Sequence, residues 1–349
     1  MRLAKPGGVT RLVFGLSLVL VGCGPGFDPP SELHSLRVLA VQKDVPYAQP
    51  GDTVHLQMLW QDASPSAPRP VTVTWFPPCF DPAGDLFYGC FTDRSIFGAL
   101  PQSDPNQPEL ASFVMPSDII SRKPPIAPPN APYGLAYLFF AVCAGQLTVI
   151  PQTAETAFPL GCKAEDGTLL GADDFVAGYA SVYSFKTFSN KNPVISGFEF
   201  NGQRLDSSGS CQDPDCLSIA GSVPAADFEC SEHPERCIPT CADDGDPKCP
   251  AYKLNPVVDK NKPDNQEQDS VSAKLLGRNV GEQMWIDYYT EKGSFKSPVR
   301  LLNDATSGWN DNYGTDFYAP KQAGPFRVWS VVHDNRGGVA WAGVTLKAE

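Results

Sequence analysis

Positive charge is scarce in this chain. Lys and Arg number 27 against 39 Asp and Glu, which leaves a formal net charge of −12 over 349 residues. No basic run follows residue 23. Nucleic acid and anionic lipid surfaces are held by Lys and Arg clusters, so neither is an expected partner. Histidine is rarer still: His34, His55, His233 and His333 are scattered and share no motif. The signatures H-E-x-x-H, G-x-S-x-G and G-x-x-x-x-G-K-[ST] are missing, which removes the commonest zinc-protease, serine-hydrolase and P-loop chemistries. No apolar run reaches the roughly 20 residues of a spanning helix. No stretch carries a sustained helical periodicity either.

What the chain has in abundance is punctuation. Its 35 Pro and 30 Gly make up nearly a fifth of the residues. Between them lie short apolar runs of period two, as half-buried strands require. Val54, Leu56, Met58 and Trp60 alternate with His55 and Gln57; Val71, Val73 and Trp75 alternate with Thr72, Thr74 and Phe76. Residues 135–143 are apolar on both faces, as a central strand is. Farther on, Phe198 and Phe200 follow Val194, and Met284, Ile286 and Tyr288 alternate with Trp285, Asp287 and Tyr289. Phe326, Val328 and Val332 interleave with Trp329 and Val331, before a hairpin turn at residues 333–338. The expected fold is all-β.

The N-terminus reads differently. Arg2, Lys5 and Arg11 precede LVFGLSLVLV at residues 12–21, the layout of a secretory signal. Leu20-Val21-Gly22-Cys23 then resembles the lipobox of bacterial lipoproteins. The resemblance implies cleavage of residues 1–22, a diacylglycerol on the Cys23 sulfur, and attachment to a membrane through that lipid. Two or three acyl chains hold stably where one holds marginally. By the family's sorting rule, Gly24 after the cysteine implies the outer membrane. Residues 23–33 form a lipidated N-terminus and a Pro- and Gly-rich tether. Loss of three positive charges takes the mature body to about −15.

The two halves of the body echo each other. Phe113-Val114-Met115-Pro116 precedes a long apolar stretch from Gly134; Phe317-Tyr318-Ala319-Pro320 precedes another from Gly324. This order resembles tandem immunoglobulin-like or PKD-like modules of bacterial surface proteins, and implies β-sandwiches at 34–189 and 190–349. The boundary falls at residues 189–193, short enough for the modules to touch.

Eleven cysteines leave ten beside Cys23, an even number that suits disulfides in an exported chain. Proximity pairs Cys79 with Cys90 and Cys143 with Cys162. Cys211, Cys216, Cys230, Cys237, Cys241 and Cys249 form a denser group, read as a disulfide-rich insertion at about 206–265 in the second module. Six cysteines admit 15 connectivities, which spacing leaves open. Zinc is the rival for these thiols, but C-x4-C and C-x3-C are not the usual ligand spacings. Asp243, Asp244 and Asp246 could supply oxygens to calcium, although no EF-hand pattern closes the loop. Trp329 and Trp341 sit in expected strands; Trp309, in a polar loop, is the candidate for an exposed ring that stacks on a sugar.

The leading expectation is a non-enzymatic lipoprotein of the cell envelope, presenting β-sandwich modules for protein interaction or envelope assembly. A carbohydrate- or calcium-dependent binding lipoprotein is the alternative. A hydrolase built on paired carboxylates is the third.

Overall fold

The computed structural model describes residues 29–92, 107–123, 131–150, 159–205, 225–242 and 248–349. Among the described residues the fold is β throughout, with one short α-helix. No helix among them is long and apolar enough to cross a membrane.

The N-terminal half holds β1 (Leu36–Lys43), β2 (Tyr47–Ala48), β3 (Thr53–Asp62), β4 (Thr72–Trp75), β5 (Cys79–Phe80), β6 (Leu110–Val114), β7 (Gly134–Cys143), β8 (Gln146–Val149), β9 (Leu160–Lys163) and β10 (Phe175–Ser184). One sheet has the order β1-β3-β6 and the other β2-β10-β7-β4, with β5 following β4 along the same edge of β7. β2 joins β10 in parallel, and the rest of these pairings are antiparallel. Val54, Leu56, Met58 and Trp60 meet Val73, Trp75, Leu138, Phe140 and Val182 from the opposite sheet. Alternation thus closes the core as the strand pattern requires. Phe76 points the other way and packs with Leu135, Tyr137 and Phe139 on the outer face of β7. Covered on both faces, β7 is buried along its whole length.

The C-terminal half repeats this wiring. It holds β11 (Ile195–Phe200), β12 (Gln203–Leu205), β13 (Cys237–Ile238), β14 (Ala251–Val258), α1 (Ser270–Leu276), β15 (Met284–Thr290), β16 (Ser294–Phe295), β17 (Val299–Asp304), β18 (Gly308–Trp309), β19 (Thr315–Tyr318), β20 (Gly324–Asp334) and β21 (Val339–Ala348). The sheets run β12-β11-β14-β19-β16 and β13-β21-β20-β15-β17-β18. β13 joins β21 in parallel, as β2 joins β10. β6 and β19, which carry the two echoing motifs, each pair antiparallel with the long strand equivalent in its half, β3 and β14. Phe198, Leu254, Ile286, Tyr288, Phe317, Phe326 and Val332 fill the space between the sheets.

The disulfide-rich stretch expected at 206–265 is shorter than that. β14 lies inside those bounds, and its Leu254 and Val258 are core residues. Before β14, the short β13 extends the sheet of β21. Pro256 sits within β14 at a tolerated place: β19 pairs only as far as Leu254, so beyond it one edge of β14 needs no N–H donor.

The halves share a core of their own. Leu39 and Ala40 of β1 and Leu59 of β3 pack with Trp329 and Val331 of β20 and Val339 and Trp341 of β21. Leu33, just before β1, completes the cluster. The sequence signal is that β20 and β21 are apolar on both faces. Polar bonds border this strip. Leu33 N donates to Thr290 O at 2.8 Å, and Thr290 N to Ser31 O at 2.9 Å. Gln61 Nε2 donates to Glu291 Oε1 at 2.8 Å, while the buried Arg327 donates to Gln61 Oε1 at 3.3 Å. At the other end, Asn192 of the connecting segment donates to Lys43 O at 2.6 Å and accepts from Val339 N at 3.0 Å.

Candidate functional site

Two concavities are built by this arrangement. The first lies in the N-terminal half, on the outer face of the β10-β7 sheet. Phe87 and Phe91, from the 3-10 turn Phe87–Thr92, face Phe139, Leu160, Phe175 and Tyr179 across an apolar groove of about 380 Å³. The Cys79–Cys90 disulfide ties this turn to β5, and Cys143–Cys162 ties β7 to β9. Both pairings follow the proximity expectation. Phe87 stacks on Tyr179 with ring centroids 5.0 Å apart, and Phe91 leans on Phe139 at 5.2 Å. The rim is exposed: Leu86, Phe87, Tyr88 and Tyr179 keep 43%, 38%, 57% and 44% of their surface in solvent. A contiguous exposed aromatic patch of this kind marks an interaction surface more often than chance.

The second concavity is a cleft of about 760 Å³ between the halves. Lys43, Tyr47, Ser181, Tyr183 and Phe185 come from the N-terminal half; Val271, Leu275, Trp285 and the turn Asp334-Asn335-Arg336-Gly337 come from the other. The aromatic wall is continuous. Tyr47 and Phe185 rings lie 4.8 Å apart, Tyr133 and Tyr183 5.7 Å, and Tyr183 stacks with Phe185 at 6.3 Å. Opposite, Trp285 stacks on His333 at 5.1 Å, and its indole N–H reaches Asp287 Oδ2 at 3.3 Å.

The floor is charged and tightly bonded. Asp334 Oδ1 accepts from Arg336 N at 2.7 Å and Gly338 N at 2.8 Å, while Oδ2 accepts from Asn190 Nδ2 at 3.0 Å. Arg336 Nη2 donates to Glu267 Oε2 at 2.7 Å and Glu282 Oε2 at 2.6 Å. Asp269 caps α1 through Ser272 N at 2.9 Å and accepts from Asn335 Nδ2 at 3.0 Å. Burial pushes Glu282 up to about 7, with Arg336 pulling the other way. Burial also lowers Lys43 to about 8, opposed by the carboxylate of Asp334. Lys43 is 7% exposed, and its Nζ donates to Ser181 O at 3.1 Å. Among the described residues, that carbonyl is its one hydrogen-bond acceptor.

The residues singled out by sequence fare unequally. Trp309 is no open platform. It is half-buried against the C-terminal core, edge-on to Tyr313 at 6.2 Å, because β18 folds the loop back onto β17. Cys230 lies against Cys237, and Cys241 against Cys249, the arrangement of the disulfide reading. Cys23, Cys211, Cys216, Asp243, Asp244 and Asp246 lie outside the described residues. Among the described residues no three His, Cys, Asp or Glu side chains gather to hold a metal. Beneath the cleft, Glu267 and Glu282 share the Arg336 guanidinium, and Glu282 is 1% exposed. This is the geometry of a clamp between segments. Sequence reading missed the cleft, because its walls come from several segments far apart in the chain. Tyr179 and Tyr183, four apart on the solvent face of one strand, belong one to the groove and the other to the cleft.

Comparison with known proteins adds little. No protein-family model matches this chain, and no curated protein matches it. Among solved structures, one match is to the three N-terminal domains of the Highly Immunogenic Outer Capsid protein (Hoc) of bacteriophage RB49. It is 8% identical and covers 90% of this chain and 98% of that one, at a TM-score of 0.15. At that score the likeness carries no argument about fold or function.

Proposed function

We propose that this protein is a non-enzymatic lipoprotein of a bacterial cell envelope, anchored through Cys23, most simply at the outer membrane. In this reading its body is two immunoglobulin-like β-sandwiches, residues 34–189 and 190–349, joined into one rigid unit that docks a protein partner. The exposed aromatic groove around Phe87, Tyr88 and Tyr179 carries the proposal. Apolar side chains of this size stay in water at a cost unless a partner covers them. Two disulfides hold the groove's loops, so little conformational freedom is lost when a partner binds. The sandwich reading is supported by wiring: in each half a first, second and later strand form one sheet, and a short strand runs parallel to the last strand of the other. The anchor rests on the lipobox and on the basic and apolar segments before it.

The test is a photocrosslinking amino acid placed at Tyr88 in intact cells. A discrete adduct with an envelope protein is expected there. The same probe at Val299, exposed on β17 of the other half, is expected to give none. No adduct at Tyr88, or equal adducts at both sites, would count against the docking surface.

A further inference from the structure

We propose that the cleft between the two halves is a binding site for a neutral saccharide, held by the rings of Tyr47, Tyr183 and Trp285 and by the amine of Lys43. The site is independent of the aromatic groove.

Two features of the cleft select the ligand. The first is its rings. Tyr183 is 38% exposed, Tyr47 and Trp285 extend the surface it offers, and the buried Phe185 backs Tyr47 and Tyr183. Such faces pack against the C–H faces of pyranose rings. The second is Lys43. An amine carries up to three donors, and a single protein carbonyl takes one of them. The side chain is more than nine-tenths buried and lines the cleft. A fully apolar ligand would bury those donors without acceptors, which is unfavourable. The hydroxyls of Tyr47 and Tyr183 make no hydrogen bond to the described residues and can both donate and accept. A ligand with an apolar face and several hydroxyl groups meets all of these demands.

Charge decides against acidic ligands. Lys43, Arg336 and Asp334 line the cleft, while Glu267, Asp269 and Glu282 lie behind that lining, bonded to Arg336 and Asn335. Arg336 is spent on Glu267 and Glu282, and burial moves Lys43 toward its neutral form. Phosphates and uronates therefore meet a guanidinium already bonded to two carboxylates, beside the carboxylate of Asp334. The carboxylates keep their lone pairs occupied by protein N–H groups, so a cationic ligand gains little from them.

The test is titration of the detergent-solubilised full-length protein with cellotriose and with triacetylchitotriose, read by calorimetry and tryptophan fluorescence. Trigalacturonate serves as the anionic counterpart. At least one neutral trisaccharide is expected to saturate with a Kd of about 1 mM or tighter. Tyr183→Ala and Lys43→Met are each expected to weaken it by about tenfold, and Trp309→Ala and Phe87→Ala by less than about twofold. Tyr183 is exposed enough for its alanine variant to fold, as a circular-dichroism melt would verify. The proposal is overturned if neither neutral trisaccharide saturates below about 20 mM, if trigalacturonate binds as tightly, or if Tyr183→Ala leaves the affinity unchanged. Because Phe87 and Tyr88 are in neither wall of the cleft, loss of sugar binding and loss of the partner adduct are separately observable.

Discussion

Replacing Trp341 by alanine strikes the joint between the halves. The side chain is 1% exposed and packs with Leu33, Leu39, Leu59 and Trp329. Removing a fully buried indole costs about 3–5 kcal/mol, through lost transfer energy and the cavity left behind. In a chain with halves of this size, each kcal/mol lowers the melting temperature by about 2–4 °C, so a fall on the order of 10 °C is expected. The position of the loss matters as much as its size. Trp341 lies on the outer face of β21, away from Phe326 and Leu346, so each half keeps its own core. The two halves should then melt separately, and one calorimetric transition should become two. Val299→Ala, at a residue 60% exposed, is the control and should change stability by less than about 0.5 kcal/mol. A Trp341→Ala protein that melts as one transition within about 2 °C of the parent would refute the idea of a shared core.

Further outcomes follow from local geometry. Glu282 titrates near 7 when folded because of burial, so the folded state holds its proton more tightly than the unfolded chain does. Its contribution to stability is full below about 4.5 and falls by about 3 kcal/mol as pH rises through 7. Lys43, lowered to about 8, acts oppositely: stability returns as pH rises from 8 toward 10.5. Urea titrations should therefore find a minimum between about pH 7 and 8, and Glu282→Gln should flatten its acid side. Arg69 donates to Asp62 at 2.7 Å and to Asp174 at 2.5 Å, with Asp62 2% exposed. Arg69→Met leaves Asp62 buried and uncompensated, and should cost about 2–4 kcal/mol in urea unfolding. Gly293 has φ 77°, and a Cβ there would approach Tyr318 O to 2.5 Å. Gly293→Ala should cost about 1–3 kcal/mol in the same assay. Replacing Cys143 and Cys162 together by alanine opens a loop of 19 residues and should cost about 3 kcal/mol, read as a shift in denaturant midpoint.

Many strands were legible where one face met a core. Val54, Leu56, Met58 and Trp60 entered the same cluster, as period two requires. The repeated Phe113–Pro116 and Phe317–Pro320 motifs marked equivalent strands, because each places one ring in the core just before a chain reversal. Cys79 paired with Cys90, and Cys143 with Cys162, as their spacing suggested. Nonlocal features were not legible. β14 was hidden by Pro256, which reads as a strand breaker until its unpaired edge is seen. Trp309 looked exposed because its neighbours are polar, yet the loop folds back so that its ring meets Tyr313. The cleft needed the packing of Leu39 and Leu59 against Trp329 and Trp341 before its walls could face each other. That packing had a sequence signal, the double-faced apolar character of β20 and β21, but the signal names no partner surface.

In the proposed role, this two-part body works at a membrane and is held there by lipid on Cys23. Metabolic labelling with radioactive palmitate, in cells making either the parent chain or Cys23→Ser, tests that most directly. Label on the parent and none on the variant, with the variant lost from the membrane fraction, is the predicted result. Equal labelling of both chains, or no labelling of the parent, would contradict it.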